Sequence, residues 1–390
     1  MTIQRQSLYY ISVLLLFFKN LILYSQFYSI VPPIIPTILY YGAIASLALK
    51  IFLDVNKYCY SRIRFLLILF VLIVLTVGGN LANDYSIVWI LIYIIAARDT
   101  NPYKLAKWIY TFVLIATTII ILCSLVGVIP NLYQIAISSS GKVIFRYYLG
   151  FIHCNVLGTY LSLLFFCKVY LCGDNIKWHD YIILSVLIIL TLFIAYSRTS
   201  GTIMVLTLLV KPFFCSKTKK ILKNVVLLGM IIICLMSVIL TINYDPSKEW
   251  MVTLNTFMTG RLSAGNLAYQ EDGISMLGQN FTTIFQSTNF QFGDINAQQK
   301  VVDNAFMHLL IHYGIVPAII LIGYFLTNVK WLIENGKYTM CLIVVMSYVM
   351  GISEGTLYSM QNIVLYLLAT LQYDRIKKGT KDGIQSRLYY

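Results

Sequence analysis

Three arginines lie in short polar segments of a chain that is otherwise strongly apolar. Arg146 opens the segment RYYLGFIHCN, Arg198 lies in YSRTSG and Arg261 lies in TGRLSAG. Arginine is permanently charged, and its planar guanidinium can bind two phosphate oxygens at once. Three such groups converging on one site would suit a diphosphate. The structural alternative for each is an arginine that extends to lipid headgroups or to solvent.

Other polar residues accompany these arginines. His153 and Asn155 lie one to two turns inside the apolar run that Arg146 opens, where lipid would leave their side chains without hydrogen-bond partners. We therefore expect them to line a polar cavity. Asp303 and Asn304 immediately precede another apolar run. Asp303 could accept a proton from a hydroxyl group, and the alternative is that these two residues cap a helix.

A glutamate and a histidine pair complete the set of candidate residues. Glu354 is expected at the outer end of an apolar run, where it could pair with an arginine or lie in solvent. His308 and His312 are four residues apart and so share one face of a helix, but they lack the HExxH pattern of a zinc site. We expect them to pack or to line a cavity. The eight cysteines include no CxxC pair, and we expect neither a metal nor a cofactor.

The composition places these residues in a membrane protein. The chain of 390 residues is 59% hydrophobic and only 11% charged, whereas about a quarter of the residues in a soluble domain are charged. Its apolar runs have about 15–23 residues, which is enough for a helix to cross a bilayer. We expect one integral membrane domain over residues 1–390, an all-α polytopic bundle of about twelve spans.

The distribution of charge orients these spans. If the N-terminus is cytoplasmic, most lysines and arginines fall in cytoplasmic loops, as the positive-inside rule predicts. Two large loops, at about 130–148 and 244–303, then face the outside together with all three arginines, and the tail 373–390 is cytoplasmic. The expected spans are 8–28, 33–53, 64–79, 83–97, 106–129, 149–172, 181–196, 200–215, 221–243, 304–327, 338–354 and 357–372.

The net charge of +14 does not indicate a nucleic-acid partner. The basic residues are spread over short cytoplasmic loops, where they face anionic lipid. We therefore expect membrane lipids, and no nucleic acid, as partners. The first apolar run follows Arg5 and has no small-residue cleavage site, so we interpret it as a retained span and not as a signal peptide.

The segments RYYLGFIHCN, YSRTSG, TGRLSAG and VVDNAFMHLLIHYG, in this order and at these places in the topology, resemble the bacterial oligosaccharide repeat-unit polymerases of the Wzy type. These polymerases belong with the O-antigen ligases to a superfamily of multispan glycosyltransferases. The resemblance covers about 140–356, and the N-terminal spans match only in hydropathy. It implies a GT-C-like helical bundle in the bacterial cytoplasmic (inner) membrane.

The resemblance also implies a reaction. Undecaprenyl-diphosphate-linked oligosaccharide repeat units would be polymerised into capsular polysaccharide, exopolysaccharide or O-antigen at the outer face of the membrane. A hydroxyl of the acceptor unit attacks the anomeric carbon of the donor glycan, and the lipid diphosphate leaves, without a metal and with inversion. The family further implies a flippase and a chain-length regulator as partners.

The resemblance assigns roles by position. Arg146, Arg198 and Arg261 would hold the diphosphate, and Asp303 would activate or orient the acceptor. The remaining candidates would bind substrate; they are His153, Asn155, Asn304, His308 and Glu354.

Two features depart from the family pattern. Eleven residues, not ten, separate Arg146 from Gly158 and Arg261 from Gly273. Asp303 stands where the ligases carry a histidine, which favours a polymerase over a ligase. A ligase-type transfer of glycan to another acceptor is the alternative within the enzymes. Outside them, the alternatives are a transporter or flippase of polysaccharide precursors and a non-catalytic scaffold.

Overall fold

The computed structural model describes residues 2–55, 62–137, 143–215, 217, 219–281, 302–359 and 361–371. The expected cytoplasmic tail 373–390 and residues 282–301 of the second large outer loop lie outside these ranges. Within them the chain is mostly helical.

The helices follow the apolar runs of the sequence, and within the described ranges one hairpin interrupts them. In chain order the elements are α1 Thr2–Leu23, α2 Ile34–Leu53, α3 Arg62–Ala82, α4 Ser86–Ala96, α5 Pro102–Leu125, β1 Tyr133–Ile137, β2 Val143–Tyr147, α6 Cys154–Cys172, α7 Trp178–Ile189, α8 Arg198–Val210, α9 Lys219–Ile242, α10 Glu249–Phe257, α11 Arg261–Asp272, α12 Ala305–His308, α13 Ile315–Glu334, α14 Tyr338–Met350 and α15 363–371.

Seven helices among the described residues are long and apolar enough to cross a membrane: α1, α2, α3, α5, α6, α9 and α13. Shorter apolar helices occupy Ser86–Ala96, Trp178–Ile194 and Tyr338–Met350. The chain is therefore a helical membrane protein. Each of the twelve expected spans contains a helix, but the number of crossings and the GT-C-like arrangement remain predictions.

Local sequence signals explain where several of these helices begin and end. Asn101 caps α5 by accepting a hydrogen bond from Lys104 N, and Pro102 occupies the first turn, where its missing N–H costs nothing. At the other end of a helix, Gly173 adopts a φ of 62° and terminates α6.

The core of the bundle surrounds α6 and α14. Both helices are buried along most of their length, whereas α3 and α9 expose aliphatic side chains such as Leu66 and Leu228. The turn before α8 approaches α6 closely, because a Cβ added at Gly158 would lie 2.5 Å from both Cβ and Oγ of Ser197. Glycine is thus required at this helix contact.

The first large outer loop contains an antiparallel β-hairpin, which the all-α prediction did not include. Strands β1 and β2 pair with Tyr133 opposite Tyr147, Gln134 opposite Arg146 and Ile135 opposite Phe145. Residues 138–142 between the strands lie outside the described ranges. The hairpin directs alternate side chains to opposite faces, and Arg146 lies on the face that also carries Gln134.

The tenth expected span is divided into two parts. Helix α12 continues as a π-helical turn, Leu309–Tyr313, and the chain then turns at Gly314, which has a φ of 88°. A Cβ at Gly314 would lie 2.5 Å from the backbone nitrogen of Gly278, so this turn packs backbone against backbone. Consequently the segment 305–313 is separate from α13 and carries its histidines independently of that helix.

Candidate functional site

The hairpin and the start of α6 hold Arg146. Its Nη2 donates to Asn155 Oδ1 at 2.8 Å, and its Nη1 donates to Gln134 Oε1 at 3.2 Å. His153 caps α6, with Nδ1 accepting a hydrogen bond from Asn155 N at 3.1 Å. The opening motif of the sequence therefore folds into one polar unit, in which the amide of Asn155 orients the guanidinium.

Arg261, at the start of α11, lies between two carboxylates. Its Nη2 donates to Glu354 Oε1 at 3.1 Å, and its Nε donates to Asp303 Oδ2 at 3.3 Å. The side chains of Arg261 and Glu354 are each 11% exposed, whereas that of Asp303 is 44% exposed. These two ion pairs join the start of α11 to the segment before α12 and to the segment after α14.

The positive charges of Arg146 and Arg261 act on the same two neighbouring side chains, His153 and Glu354. Burial and the positive charges of Arg146 and Arg261 lower the pKa of His153 to about 4, so this histidine is neutral at pH 7. Burial raises the pKa of Glu354 to about 7, although Arg261 and Arg146 oppose this effect. Glu354 can therefore gain or lose a proton near neutral pH. We call Arg146, Arg261, Asp303, Glu354, His153 and Asn155 the arginine–carboxylate cluster.

Arg198 is linked to this cluster through the residue that follows it in the chain. Its guanidinium stacks on the ring of Tyr196, 5.1 Å from the ring centroid, and the side chain is exposed. The following residue, Thr199, accepts a hydrogen bond from Ser353 Oγ at 3.1 Å, next to Glu354. The structure thus brings two of the three arginines into one cluster, and the segment of the third contacts the residue before Glu354 through Thr199.

The helix cap before α12 is Asn304 and not Asp303. Asn304 Oδ1 accepts from Phe306 N and Met307 N, and its Nδ2 donates to Ser237 Oγ at 2.5 Å. Asn304 is buried, so these bonds give it a structural role at the start of α12. Asp303 does not cap the helix, and its carboxylate accepts a hydrogen bond from Arg261.

His308 and His312 belong to a second polar cluster. Their rings lie 4.8 Å apart, His308 Nδ1 hydrogen-bonds to Tyr358 Oη, and His312 Nε2 lies 3.8 Å from Asp84 Oδ2. Tyr313 Oη donates to the same Asp84 oxygen at 2.5 Å. We call Asp84, His308, His312, Tyr313 and Tyr358 the histidine–tyrosine cluster.

One short turn connects the two clusters. The 3₁₀ turn Gly355–Tyr358 begins directly after Glu354 and ends at Tyr358.

Burial would raise the pKa of Asp84, but hydrogen bonds from His312, Ser86 and Tyr313 outweigh it and lower the pKa of this carboxyl. A charged Asp84 therefore anchors the histidine–tyrosine cluster to the turn between α3 and α4.

Backbone strain occurs close to each of the three arginines. Leu149, Tyr196 and Thr259 have positive φ angles of 47°, 51° and 58°, and each lies within three residues of one arginine. Such a conformation costs a non-glycine residue about 1–3 kcal/mol and is concentrated at functional sites. The strain supports a functional role for these three segments.

Sequence reasoning missed four residues that the structure brings to the two clusters or into contact with them: Gln134, Asp84, Tyr313 and Tyr358. The signal for Asp84 was present, because an aspartate in a short turn on the expected outer side faces the same compartment as the arginines. Gln134 and Tyr358 carried no comparable signal, since neither is charged.

The described residues contain no group of three or more His, Cys, Asp or Glu side chains arranged to hold a metal ion. Comparisons with protein-family models, with curated proteins and with solved structures found no match for this chain. What the site can do therefore follows from its own chemistry. Two fixed guanidinium groups can bind an anion, and a buried carboxyl beside them can exchange a proton near pH 7.

Proposed function

We propose that this protein polymerises oligosaccharide repeat units carried on undecaprenyl diphosphate. The observation that supports the proposal most strongly is that Arg261, paired with Asp303 and Glu354, shares one partly buried cluster with Arg146. The positive-inside distribution of charge assigns this end of the bundle to the outside. Three of the four motifs that resemble the Wzy-type polymerases supply five of the six residues of the cluster, and Glu354 lies outside the motifs.

The two arginines would bind the diphosphate of the donor. Each guanidinium can bind two oxygens of a phosphate, and the negative charge on the leaving group increases as the glycosidic bond breaks. In a buried site these interactions are stronger than in water. Arg198, which is exposed, would assist by binding the diphosphate from the solvent side.

A carboxylate of the cluster would activate the acceptor. The acceptor hydroxyl oxygen attacks the anomeric carbon of the donor glycan, its proton passes to Asp303 or Glu354, and the bond from the anomeric carbon to the diphosphate breaks. The electron pair of that bond leaves with the lipid diphosphate, so the growing glycan is transferred to the acceptor unit. Attack from the face opposite the leaving group inverts the anomeric centre.

The proposal includes a location and partners. The chain would lie in the bacterial cytoplasmic membrane as a GT-C-like bundle of about twelve spans, and the polymer would be a capsular polysaccharide, an exopolysaccharide or an O-antigen. Its substrates are lipid-linked, so a flippase must first bring them to the outer leaflet. A chain-length regulator would act on the same nascent polymer.

Arg146→Lys tests the diphosphate-binding role. In a strain that lacks the chromosomal gene, this variant should insert normally but form little polymer, because an ammonium group cannot reproduce the two-oxygen grip of arginine. The matched control is Arg62→Lys, the same change at an exposed position that begins α3 and that the charge distribution predicts to be cytoplasmic. Polymer length and lipid-linked glycan are measured on gels.

The lipid-linked glycan of the deletion strain separates polymerase from the alternatives. Single repeat units that remain on lipid at the outer leaflet would support a polymerase. Full-length polymer stranded on lipid would contradict the proposal and indicate a ligase, and single units confined to the inner leaflet would indicate a flippase. Divalent-cation chelators should leave polymerisation in membranes intact, because arginines are proposed to neutralise the diphosphate.

A further inference from the structure

The hairpin in the first large outer loop has two chemically different faces. Successive residues of a strand point to opposite faces, and the register places one apolar side chain opposite another on the face that Arg146 does not share. We call this surface the aromatic face. The aromatic face consists of the side chains of Tyr133, Ile135, Val143, Phe145 and Tyr147. Each of these side chains is between 39% and 54% exposed.

The aromatic face is a packed surface. The rings of Tyr133 and Phe145 lie 5.7 Å apart, and those of Tyr133 and Tyr147 lie 6.2 Å apart. An isolated two-stranded hairpin is only marginally stable in water, and a contiguous exposed apolar patch indicates an interaction surface. We therefore expect the apolar side of this hairpin to be covered by another protein surface or by lipid.

Polar contacts within the described part of the chain lie on the other face. There Arg146 hydrogen-bonds to Gln134 and to Asn155 at the start of α6. Because the two faces are on opposite sides of the hairpin, the aromatic face points away from the arginine–carboxylate cluster. It is exposed within the described part of the chain.

The aromatic face continues the lipid-facing surface of a membrane helix. Helix α5 exposes Ile119 and Leu122 near its outer end, and the connection to the hairpin continues with exposed Val126, Val128 and Leu132. Val126 is 79% exposed directly after α5. This continuity identifies the occupant, since the same medium that covers α5 extends to the hairpin.

We propose that the aromatic face is embedded in the headgroup region of the outer leaflet, with membrane phospholipid as its partner. Tyrosine suits this position because its ring is apolar and its hydroxyl can reach water, and aromatic residues concentrate at membrane interfaces. The hairpin would then lie along the membrane surface. This inference does not rest on the proposed polymerase function, because it would hold for any activity of the neighbouring cluster.

A fluorescent amino acid introduced at Phe145 by codon suppression tests the inference. The full-length protein is reconstituted in nanodiscs of phosphatidylcholine and phosphatidylglycerol. Lipids that carry a nitroxide near the top of the acyl chain should quench most of the emission, and iodide in the water should quench little. The matched control carries the same fluorophore at Ser247, which is exposed in the polar turn before α10, and should show the reverse pattern.

Two results would overturn the inference. One is iodide quenching at position 145 as strong as at position 247, with no quenching by the nitroxide lipid. The other is protection from iodide only after a soluble oligosaccharide is added, which would assign the aromatic face to glycan. If substitution of Phe145 prevents folding, its cross-strand partner Ile135 carries the fluorophore, and the same pattern is expected there.

Discussion

Replacing Arg261 by lysine should slow glycan chain growth strongly. Arg261 makes two charge-assisted hydrogen bonds at once, at 3.1 Å to Glu354 and at 3.3 Å to Asp303. The same two N–H donors could bind two oxygens of a diphosphate. Lysine keeps the charge but presents a single ammonium group. A hydrogen bond to a charged group contributes about 1.5–3 kcal/mol. Since 1.4 kcal/mol corresponds to about a tenfold change, the rate should fall by about 10- to 150-fold.

The assay is elongation of lipid-linked repeat units in membrane vesicles, followed as a ladder of glycan lengths on a gel. The rate is normalised to the amount of inserted protein, and thermal unfolding in detergent checks that the variant is folded. The matched control is Arg62→Lys, at the exposed start of α3, which should elongate glycan at the normal rate.

Either of two outcomes would refute this reasoning. A normal specific rate for Arg261→Lys would mean that the site does not need a two-oxygen grip, so the proposed diphosphate clamp would be wrong. A lower amount of folded protein together with an unchanged specific rate would show that Arg261 is only a structural link between its two carboxylates.

Three further predictions concern proton transfer, anchoring and packing. Because burial raises the pKa of Glu354 to about 7, polymerisation in vesicles should increase as the pH rises through about 7 and this carboxyl ionises, and Glu354→Gln should abolish that dependence. Asp84→Asn should remove about 1.5–3 kcal/mol from the histidine–tyrosine cluster and lower the Tm in detergent; an unchanged Tm would contradict the anchoring role. Gly158→Ala should cost about 1–3 kcal/mol by overpacking and lower the Tm, whereas Gly323→Ala, inside α13 with no atom within 4 Å of the added Cβ, should keep or slightly raise it because alanine favours the helix.

The helices could be predicted because hydropathy is a local property of the sequence. A run such as residues 65–77 shows its length and apolar character without reference to any other residue, and it lies within α3. The hairpin was missed although YQIAI and VIFRY have strand-like composition, because the prediction treated residues 130–148 only as a loop. The break at Gly314 depends on a backbone contact with Gly278, which no local pattern reveals.

Proximity in sequence similarly decides what could be predicted of the site. Arg146 and Asn155 are nine residues apart, so one motif was enough to suggest that they share a cavity. Arg261 is 42 residues from Asp303 and 93 residues from Glu354, and only the packing of the bundle selects those partners. Tyr196 is only two residues from Arg198, but the contact between its ring and the guanidinium depends on the local backbone, with a φ of 51° at Tyr196, which the sequence does not show.

The pairing of Arg261 with two carboxylates has a consequence for the order of events. In the resting protein, Asp303 and Glu354 occupy the hydrogen-bond donors that a diphosphate would need. The diphosphate of an incoming donor lipid would therefore compete with the carboxylates of Asp303 and Glu354 for Arg261. A carboxylate that it displaces loses its stabilising cation and becomes a stronger base. Substrate entry would in this way switch on the proton acceptor, and the empty site would be self-inhibited.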